Sequence, residues 1–496
     1  MLPAPRSDLR PNTPEYERLP LVAPSGFREY DARWLFGPEI NLLGVQALGL
    51  GLGTYLNERG VKPDVVTGHD FRSYSGAVKQ ALSLGLIASG CRVHDIGLAL
   101  SPTAYFAQAA LDIASVAMVT ASHNENGWTG VKMGCAGPLT FGPDEMARLR
   151  EIVLAGRWSL RDGGGLVHVD GMAERHIADV ASGGRLKRRL KVVCACGNGT
   201  AGDFAPRLLE AIGCNVVALD CTLDHSFPRY NPNPEDLAML AAIAEAVLAS
   251  GADLGLGFDG DGDRCGVIDN EGRAIFADKV GVLLARDFSA HYPDAVFVAD
   301  VKSTALFASD PVLSANGAST IYWKTGHSYM KRRTHELGAL AGFEKSGHYF
   351  LRPPIGRGYD DGLLSAALIC RMLDRAAPRT MADVFRELPT TWSSPTINAH
   401  CPDEAKYRVV DEFTQAIQRV ATSGGSFAGQ PIRNLMTVNG VRIVLKDGSW
   451  GLVRPSSNKP ELVIVAESPR SEETMQSVLK AIELELASYP EVGDIA

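Results

Sequence analysis

The apolar positions of this chain fall into short runs bounded by glycine and polar residues, with longer stretches of helical spacing between them. One such unit begins at Asp64-Val65-Val66-Thr67-Gly68, continues as a helix-like stretch to Ala88, turns at Gly90 and resumes at Val93 and Ile96. The same order returns at Lys191 to Cys196, through Phe204 to Ile212, Gly213 and Val216 to Ala218. It returns again from Ala295 to Val298, through Leu313 and Gly317, to Thr320–Trp323. Strand, turn, helix, glycine, strand, three times over at about 25 to 30 residues per unit, predicts three successive α/β domains of related topology. Past a loop-like stretch from Pro389 to Pro395 the pattern changes. A helix around Asp411 to Val420, a Ser/Gly stretch at Ser423–Ser426 and short strands such as Val441–Val444 predict a smaller domain joined by a flexible seam. The fold class expected is therefore α/β: three successive related α/β domains with mixed sheets plus a smaller C-terminal α+β domain. Turn-rich boundaries at Arg161–Gly165 and Glu271–Arg273 divide the chain into an N-terminal arm (1–19) and domains at 20–167, 168–272, 273–388 and 389–496.

Composition narrows the class. A chain of 496 residues is too long for one core, and 45% hydrophobic with 21% charged residues is ordinary for a globular protein. Apolar runs stay well short of the roughly 20 residues that span a bilayer, so no membrane association is expected. A net charge of -8 argues against a nucleic-acid surface, and no concentrated basic tract is expected to offset it. Nine cysteines, an odd number, show no zinc-type or redox spacing; Cys194 and Cys196 share one side of a strand and are too close in sequence to bridge. Reduced thiols in the cytoplasm are the simplest account. Met1 to Arg18, rich in proline and charge and without an apolar core, reads as a loose arm rather than a signal peptide. Oligomeric state is not legible, and a monomer is compatible with the sequence.

Four polar stretches carry candidate chemistry. Thr120-Ala121-Ser122-His123-Asn124 closes the apolar strand Val116–Val119 and opens a loop to Gly130-Val131-Lys132, which holds the Ser122 hydroxyl where strand meets loop. Alone, such a serine is also what an ordinary turn contains. Asp259-Gly260-Asp261-Gly262-Asp263-Arg264 follows the apolar strand Leu254–Phe258. Its three alternate carboxylates, with glycines between them, can converge on one hard divalent ion, for which Mg²⁺ is the natural candidate. An EF-hand is excluded, because Arg264 and Asn270 stand where its glycine and bidentate glutamate belong. Lys324–Ser328, with His327, and Glu344-Lys345-Ser346-Gly347-His348 put an acid, hydroxyls and two imidazoles at strand ends, an inventory suited to a sugar. Arg454-Pro455-Ser456-Ser457-Asn458-Lys459 offers a guanidinium, hydroxyls and an amide, which suit a phosphate dianion. Near the N-terminus, Phe27–Arg33 packs two arginines and Tyr30 into a run that reads on its own as a turn.

Taken in order, these loops resemble those of the α-D-phosphohexomutases, most closely the bacterial phosphomannomutase/phosphoglucomutase branch, and the resemblance covers nearly the whole chain. It extends to a Tyr-Asp-x-Arg run matched by Tyr30, Asp31 and Arg33, and to a lysine matched by Lys302. The resemblance implies a phosphoserine domain (20–167), a metal-binding domain (168–272), a sugar-binding domain (273–388) and a phosphate-binding C-terminal domain (389–496). By the same resemblance Ser122 carries a phosphoryl group, and Mg²⁺ is held by Asp259, Asp261, Asp263 and an oxygen of the phosphoserine. It further implies interconversion of hexose 1- and 6-phosphates of mannose and glucose, with glucose 1,6-bisphosphate or mannose 1,6-bisphosphate as intermediate and activator. Lys132, Arg264, His327, His348 and Arg33 are then the catalytic candidates. Tyr30, Lys302, Glu344, Ser346, Arg454, Ser456, Ser457 and Asn458 are the candidates for binding substrate. The chain departs from the family pattern at Trp34, Glu125, Phe343 and Ser457-Asn458-Lys459, none of which removes a catalytic group.

Other readings lead to different expectations. A glucosamine or N-acetylglucosamine phosphate mutase would use the same loops. A metal-dependent sugar phosphatase or kinase with an aspartyl nucleophile would leave Ser122 idle. A non-catalytic sugar-phosphate binding protein would not need both the serine and the aspartates.

Overall fold

The computed structural model describes residues 19–495, so the expected arm from Met1 to Arg18 lies outside the described residues. By compactness the chain forms two units: one runs to Ala277 and takes back Ser346–Ala382, and the other comprises Asp278–Lys345 and Asp383–Ala496.

Each of the three repeated patterns folds as predicted, with two parallel strands joined by helix. Asp64–His69 pairs with Arg92–Leu98 across the helix Ser75–Ala88. Lys191–Ala195 pairs with Asn215–Leu219 across Ala205–Ala211, and Val296–Asp300 with Ser319–Trp323 across two short helices. In every case a later strand then pairs in parallel with the other side of the first: Ser115–Val119, Leu254–Phe258 and Ala341–Phe343. Strand order therefore reverses at the first strand of each repeat. Such a reversal leaves a crevice beyond the strand ends that helices do not cover, the usual ligand position in open α/β sheets. The residues that follow the three later strands are Thr120-Ala121-Ser122, Asp259 and Glu344. Three of the four candidate loops thus occupy one topological position, repeated.

Antiparallel edge strands make the first two sheets mixed. The first has six strands, with Ala32–Leu35 at one edge against Trp128–Gly134; the second has five, ending in Cys265–Asp269 and Ala274–Ile275. The run Phe27–Arg33, which reads as a turn in sequence, leads into that edge strand with Tyr30 and Asp31 buried. The strand that precedes the Glu344 loop is short: the helix His327–Glu336 ends just before it and pairing begins only at Ala341. A basic tract is present after all: five of the seven residues from Arg185 to Lys191 are Arg or Lys. It is folded against the chain, with the Lys187 and Arg188 amides donating to Asp374.

Residues from Trp392 onward build an antiparallel sheet on which the helices Lys406–Thr422 and Glu472–Leu486 pack through Phe413, Ile417, Val478 and Ile482. The flexible seam expected before it is instead tied down. Thr391 and Ser393 donate to the buried Glu467, which also receives Lys279 Nζ at 2.7 Å. Among the described residues no helix is long and apolar enough to cross a membrane.

Candidate active site

In the first unit the loop after Val119 is held in an unusual shape. Ser122 has φ +53°, a left-handed conformation that a side chain disfavours, so other contacts must enforce it. Arg72 Nη2 donates to the carbonyls of Ser122 (3.1 Å) and Asn124 (2.6 Å). The buried Asp70 accepts from Thr120 Oγ1 and from the Arg72 guanidinium, and Ser122 N donates to Thr120 Oγ1. Arg33, paired with Asp31, donates to Asn124 Oδ1 at 2.6 Å. Ser122 Oγ thereby sits 3.2 Å from His123 Nδ1 and 3.3 Å from Asp259 Oδ2.

Asp259, Asp261 and Asp263 are buried and each turns an oxygen toward a common point, those oxygens lying within 4.8 Å of one another. The alternation is made possible by the tight Asp259-Gly262 turn, where Gly262 takes φ +70°. Two cations answer the three carboxylates. Lys132 Nζ bridges Asp261 (2.6 Å) and Asp263 (2.5 Å), and Arg264 Nε donates to Asp259 Oδ2 at 3.0 Å. This asymmetry splits the carboxylates. Burial first, then Asp263 and Asp261, push Asp259 up to about 7 against the pull of Arg264 and Lys132. Asp263 is equally desolvated, but Lys132 and His348 hold it below the usual carboxylate range.

The cluster is incompletely satisfied. Asp261 Oδ1, Asp263 Oδ1 and Arg264 Nη2 are buried without a hydrogen-bond partner among the described residues. Unpaired carboxylate oxygens converging in a buried loop fit a small, hard divalent cation. Beside them, His348 Nδ1 lies 2.9 Å from Asp360 and 3.6 Å from Asp263, and a backbone bridge joins Arg264 to His348. Ser122, Lys132, Arg264, His348, the three aspartates and Arg33 are therefore gathered in one unit. Tyr30 stands buried at the start of the same edge-strand segment.

The remaining candidates belong to two other groupings. Ser346 is partly buried and falls within Ser346–Ala382 of the first unit. The others form a network in the second unit. Glu344 Oε1 accepts from Gly326 N at 2.7 Å, so the His327 and Glu344 loops are joined directly. Asp300, at the end of its strand, accepts from Thr325 Oγ1, Ser303 Oγ and Lys345 N, and so frames the turn that carries Lys302. Asn439 Oδ1 accepts from Thr325 N and, at 3.4 Å, from Arg454 Nη1. Arg454 proves to be a strand residue and not part of the turn; Ser456, Ser457 and Asn458 form the hairpin after it. Sequence reasoning missed Asp70, Arg72, Asp300, Asp360, Asn439 and Ser101, whose Oγ donates to Asp261 Oδ2. Only Asp70 and Asp300 carried a local signal, a carboxylate ending or directly following the first strand of a repeat.

Comparison with known proteins covers the whole arrangement. Models of the phosphoglucomutase/phosphomannomutase α/β/α domains I, II and III match residues 24–159, 168–272 and 276–392, and the model of the C-terminal domain matches 397–485. A phosphomannomutase/phosphoglucomutase of Pseudomonas aeruginosa is 34% identical over 475 residues, 95% of this chain and 98% of its own length. One from Pseudomonas putida is also 34% identical, over 93% of this chain and 96% of its own. The crystal structure of a phosphoglucomutase/phosphomannomutase family protein from Burkholderia thailandensis superposes with a TM-score of 0.84 at 28% identity, covering 96% of this chain and all of that one.

Proposed function

Since this chain belongs to the phosphoglucomutase/phosphomannomutase family, we propose that it interconverts hexose 1-phosphates and hexose 6-phosphates of glucose and mannose through phosphorylated Ser122 and a hexose 1,6-bisphosphate. The observation that carries the reading is Ser122 Oγ, held out by a left-handed backbone 3.3 Å from Asp259, beside a buried acidic cluster with unused oxygens. The phosphoryl group leaves Ser122 Oγ for the free hydroxyl of the sugar monophosphate; the P–Oγ bond breaks, a P–O bond to the sugar forms and the hydroxyl proton departs. The bisphosphate then returns its other phosphate to Ser122, and a trace of bisphosphate primes any unphosphorylated enzyme.

Asp259, Asp261 and Asp263 with a phosphoserine oxygen would hold Mg²⁺, which when bound supplies positive charge against the transferring phosphoryl group. Arg264, fixed by Asp259 and by Asn233 at 3.2 Å, is a preorganised donor for the same charge. Asp360 favours the His348 tautomer with its proton on Nδ1, the form in which Nε2 accepts the proton of the attacking hydroxyl. Lys132 balances Asp261 and Asp263; Arg33, bonded to Asn124, steadies the phosphoserine loop and offers a cation there, and Tyr30 contributes a neutral hydroxyl for substrate. Glu344 and Ser346 take the sugar hydroxyls. Arg454, Ser456, Ser457 and Asn458 take the phosphate that is not reacting, with Lys302 and His327 beside the sugar. Nine free thiols suit a reducing cytoplasm.

The test is to incubate the protein with glucose 1,6-bisphosphate, weigh it intact, map the phosphate, and follow 1-phosphate to 6-phosphate conversion with a coupled dehydrogenase. One phosphate on Ser122 together with mutase turnover is expected. Turnover without that phosphate rejects the covalent relay, and release of inorganic phosphate favours a hydrolase.

A further inference from the structure

Three thiols that the phosphoryl chemistry does not use meet at the strand ends of the second repeat. Cys194, in the first strand, and Cys196, the residue after that strand, lie 4.0 Å apart at sulfur. Cys221, just past the end of the second strand, places its Sγ 3.7 Å from Cys196 Sγ. All three sulfurs lie within 4.8 Å of one another. Cys221 lies 25 positions beyond Cys196 in sequence, and the parallel pairing of the two strands brings it to the other two.

The backbone fixes this spacing. Cys196 N donates to Leu219 O, Asn198 N to Asp220 O and Asn198 Nδ2 to Thr222 O, so the turn after Cys196 is laced to the loop that carries Cys221. A Cβ on Gly202 would meet Cys221 O at 2.1 Å, and that close approach presses the next helical turn onto the same loop. Cys194 and Cys196 are fully buried, while Cys221 is partly exposed and gives access from solvent.

We propose that Cys194, Cys196 and Cys221 form a binding site for one thiophilic d¹⁰ cation, Zn²⁺ or Cu⁺. The spacing supports it. An ion with metal–sulfur bonds of about 2.3 Å sets its sulfurs roughly 3.8 Å apart when tetrahedral and about 4.0 Å apart when trigonal. The two observed separations bracket those values, so two of the three ligands need almost no movement. Thiolate sulfur selects these ions over Mg²⁺, which keeps the site chemically distinct from the aspartates. On binding, the thiols release their protons to solvent; with all three deprotonated, Zn²⁺ leaves a net charge of one negative and Cu⁺ of two. Access past Cys221 leaves a further position for water. The site also lies under the acidic loop: Thr200 N donates to Gly260 O at 3.1 Å, and a Cβ on Gly199 would fall 3.1 Å from Gly260 Cα. An ion here braces the turn on which that loop rests.

The experiment titrates the full chain, reduced and stripped by chelator, with Zn²⁺ and separately with Cu⁺ against a chromophoric competitor. Excess Mg²⁺ is present throughout, so the acidic loop does not report. One ion per chain is expected in at least one arm, with affinity at least about 100-fold weaker in Cys221→Ser and unchanged in Cys135→Ser, a thiol elsewhere in the first unit. X-ray absorption of the loaded wild type should show sulfur at about 2.3 Å. Equal binding by Cys221→Ser, loss in Cys135→Ser, substoichiometric uptake in both arms, or a shell of oxygen and nitrogen alone overturns the proposal. Should Cys221→Ser fail to fold, the absorption spectrum of the wild type decides.

Discussion

Around Glu467 in the second unit, both carboxylate oxygens are filled. One accepts from Thr304, Ala305 N and Trp450 Nε1, and the other from Lys279, Thr391 and Ser393. Nearby, the buried Arg442 donates through Nη1 to the carbonyls of Val301 and Ser303 and stacks 3.6 Å from the centre of the Trp450 ring, while its Nε has no hydrogen-bond partner among the described residues. Around the acidic loop of the first unit, three carboxylates share two cations, and Asp261 Oδ1, Asp263 Oδ1 and Arg264 Nη2 have no hydrogen-bond partner among the described residues. Both regions bury several charges. A network with its carboxylate filled holds parts of a fold together, whereas like charges crowded with unused lone pairs cost stability and persist where a ligand completes them. At these two clusters it is the filling of the carboxylate oxygens that separates the structural one from the one read as functional.

The contrast is broken most severely at the nucleophile. Ser122→Ala should lower kcat by at least about 10⁴-fold, roughly 5.5 kcal/mol of barrier, because both transfers pass through that oxygen. Thermal unfolding should barely change, since the Oγ contacts to His123 and Asp259 are long. A variant keeping a tenth of wild-type turnover would break the assignment.

Asp261→Asn and Glu467→Gln are matched changes, one carboxylate to amide in each cluster, and should have opposite consequences. The first should cost about 10³-fold in Mg²⁺-dependent turnover while leaving stability equal or higher, because it relieves repulsion among carboxylates. The second should cost about 3 kcal/mol of stability by stranding the Lys279 ammonium, with turnover at low temperature retained. Acid sharpens the difference. Burial alone would raise the Glu467 carboxyl, but Lys279 and the hydrogen bonds from Ser393 and Ala305 hold it below the ordinary carboxylate range. Its contribution is thus complete above the unfolded value of about 4.3 and is lost as pH falls below it. Wild-type stability should decline in that window more steeply than that of Glu467→Gln, as denaturant midpoints measured at successive pH values would show.

The two clusters also differ in how far they could be read from sequence. The acidic loop was legible because its aspartates are adjacent in the chain and follow an apolar strand, Leu254–Phe258, which folds over that very span. Ser122 was legible for the same reason, after Ser115–Val119. Glu467 sits inside a strand of the last domain, and its partners lie 17 to 188 residues away, so nothing local marks it. Ser101 and Asn439 were missed likewise, as single polar residues whose meaning comes from contacts 160 and 114 residues distant, whereas Asp70 was marked only by following the first strand of a repeat. The edge strand Ala32–Leu35 was hidden because four residues carry no periodicity, and pairing with Trp128–Gly134 is what buries it. The Pro389–Pro395 stretch has a loop's composition, but Thr391 and Ser393 anchor it to Glu467.

A smaller effect is expected at Arg454. Its Nε is buried without a hydrogen-bond partner among the described residues while Nη1 is held by Pro455 O at 2.7 Å, a guanidinium fixed in place with a donor in reserve. If that donor meets the non-reacting phosphate, Arg454→Ala should raise KM about 30-fold, near 2 kcal/mol, with kcat changed only a few-fold. An unchanged KM would class Arg454 with Arg442, whose Nε is likewise buried without a hydrogen-bond partner among the described residues.

The smallest difference expected is between substrates. Glucose and mannose phosphates share the configuration of the 3- and 4-hydroxyls, the groups assigned to Glu344 and Ser346, and differ only at C2. The bisphosphate must also present first one end and then the other to Ser122. A pocket fitted closely to the 2-hydroxyl in one orientation would have to fit it in the other as well. One hydrogen bond gained or lost at C2 is worth about 0.5 to 1.5 kcal/mol, so kcat/KM for the two 1-phosphates should agree within about tenfold. Glu344→Ala should depress both alike. The comparison needs saturating bisphosphate and Mg²⁺; a ratio above about a thousandfold, roughly 4 kcal/mol, would mean that a side chain among these loops reads the 2-position, and it would set the glucose and mannose activities apart as those of two different enzymes.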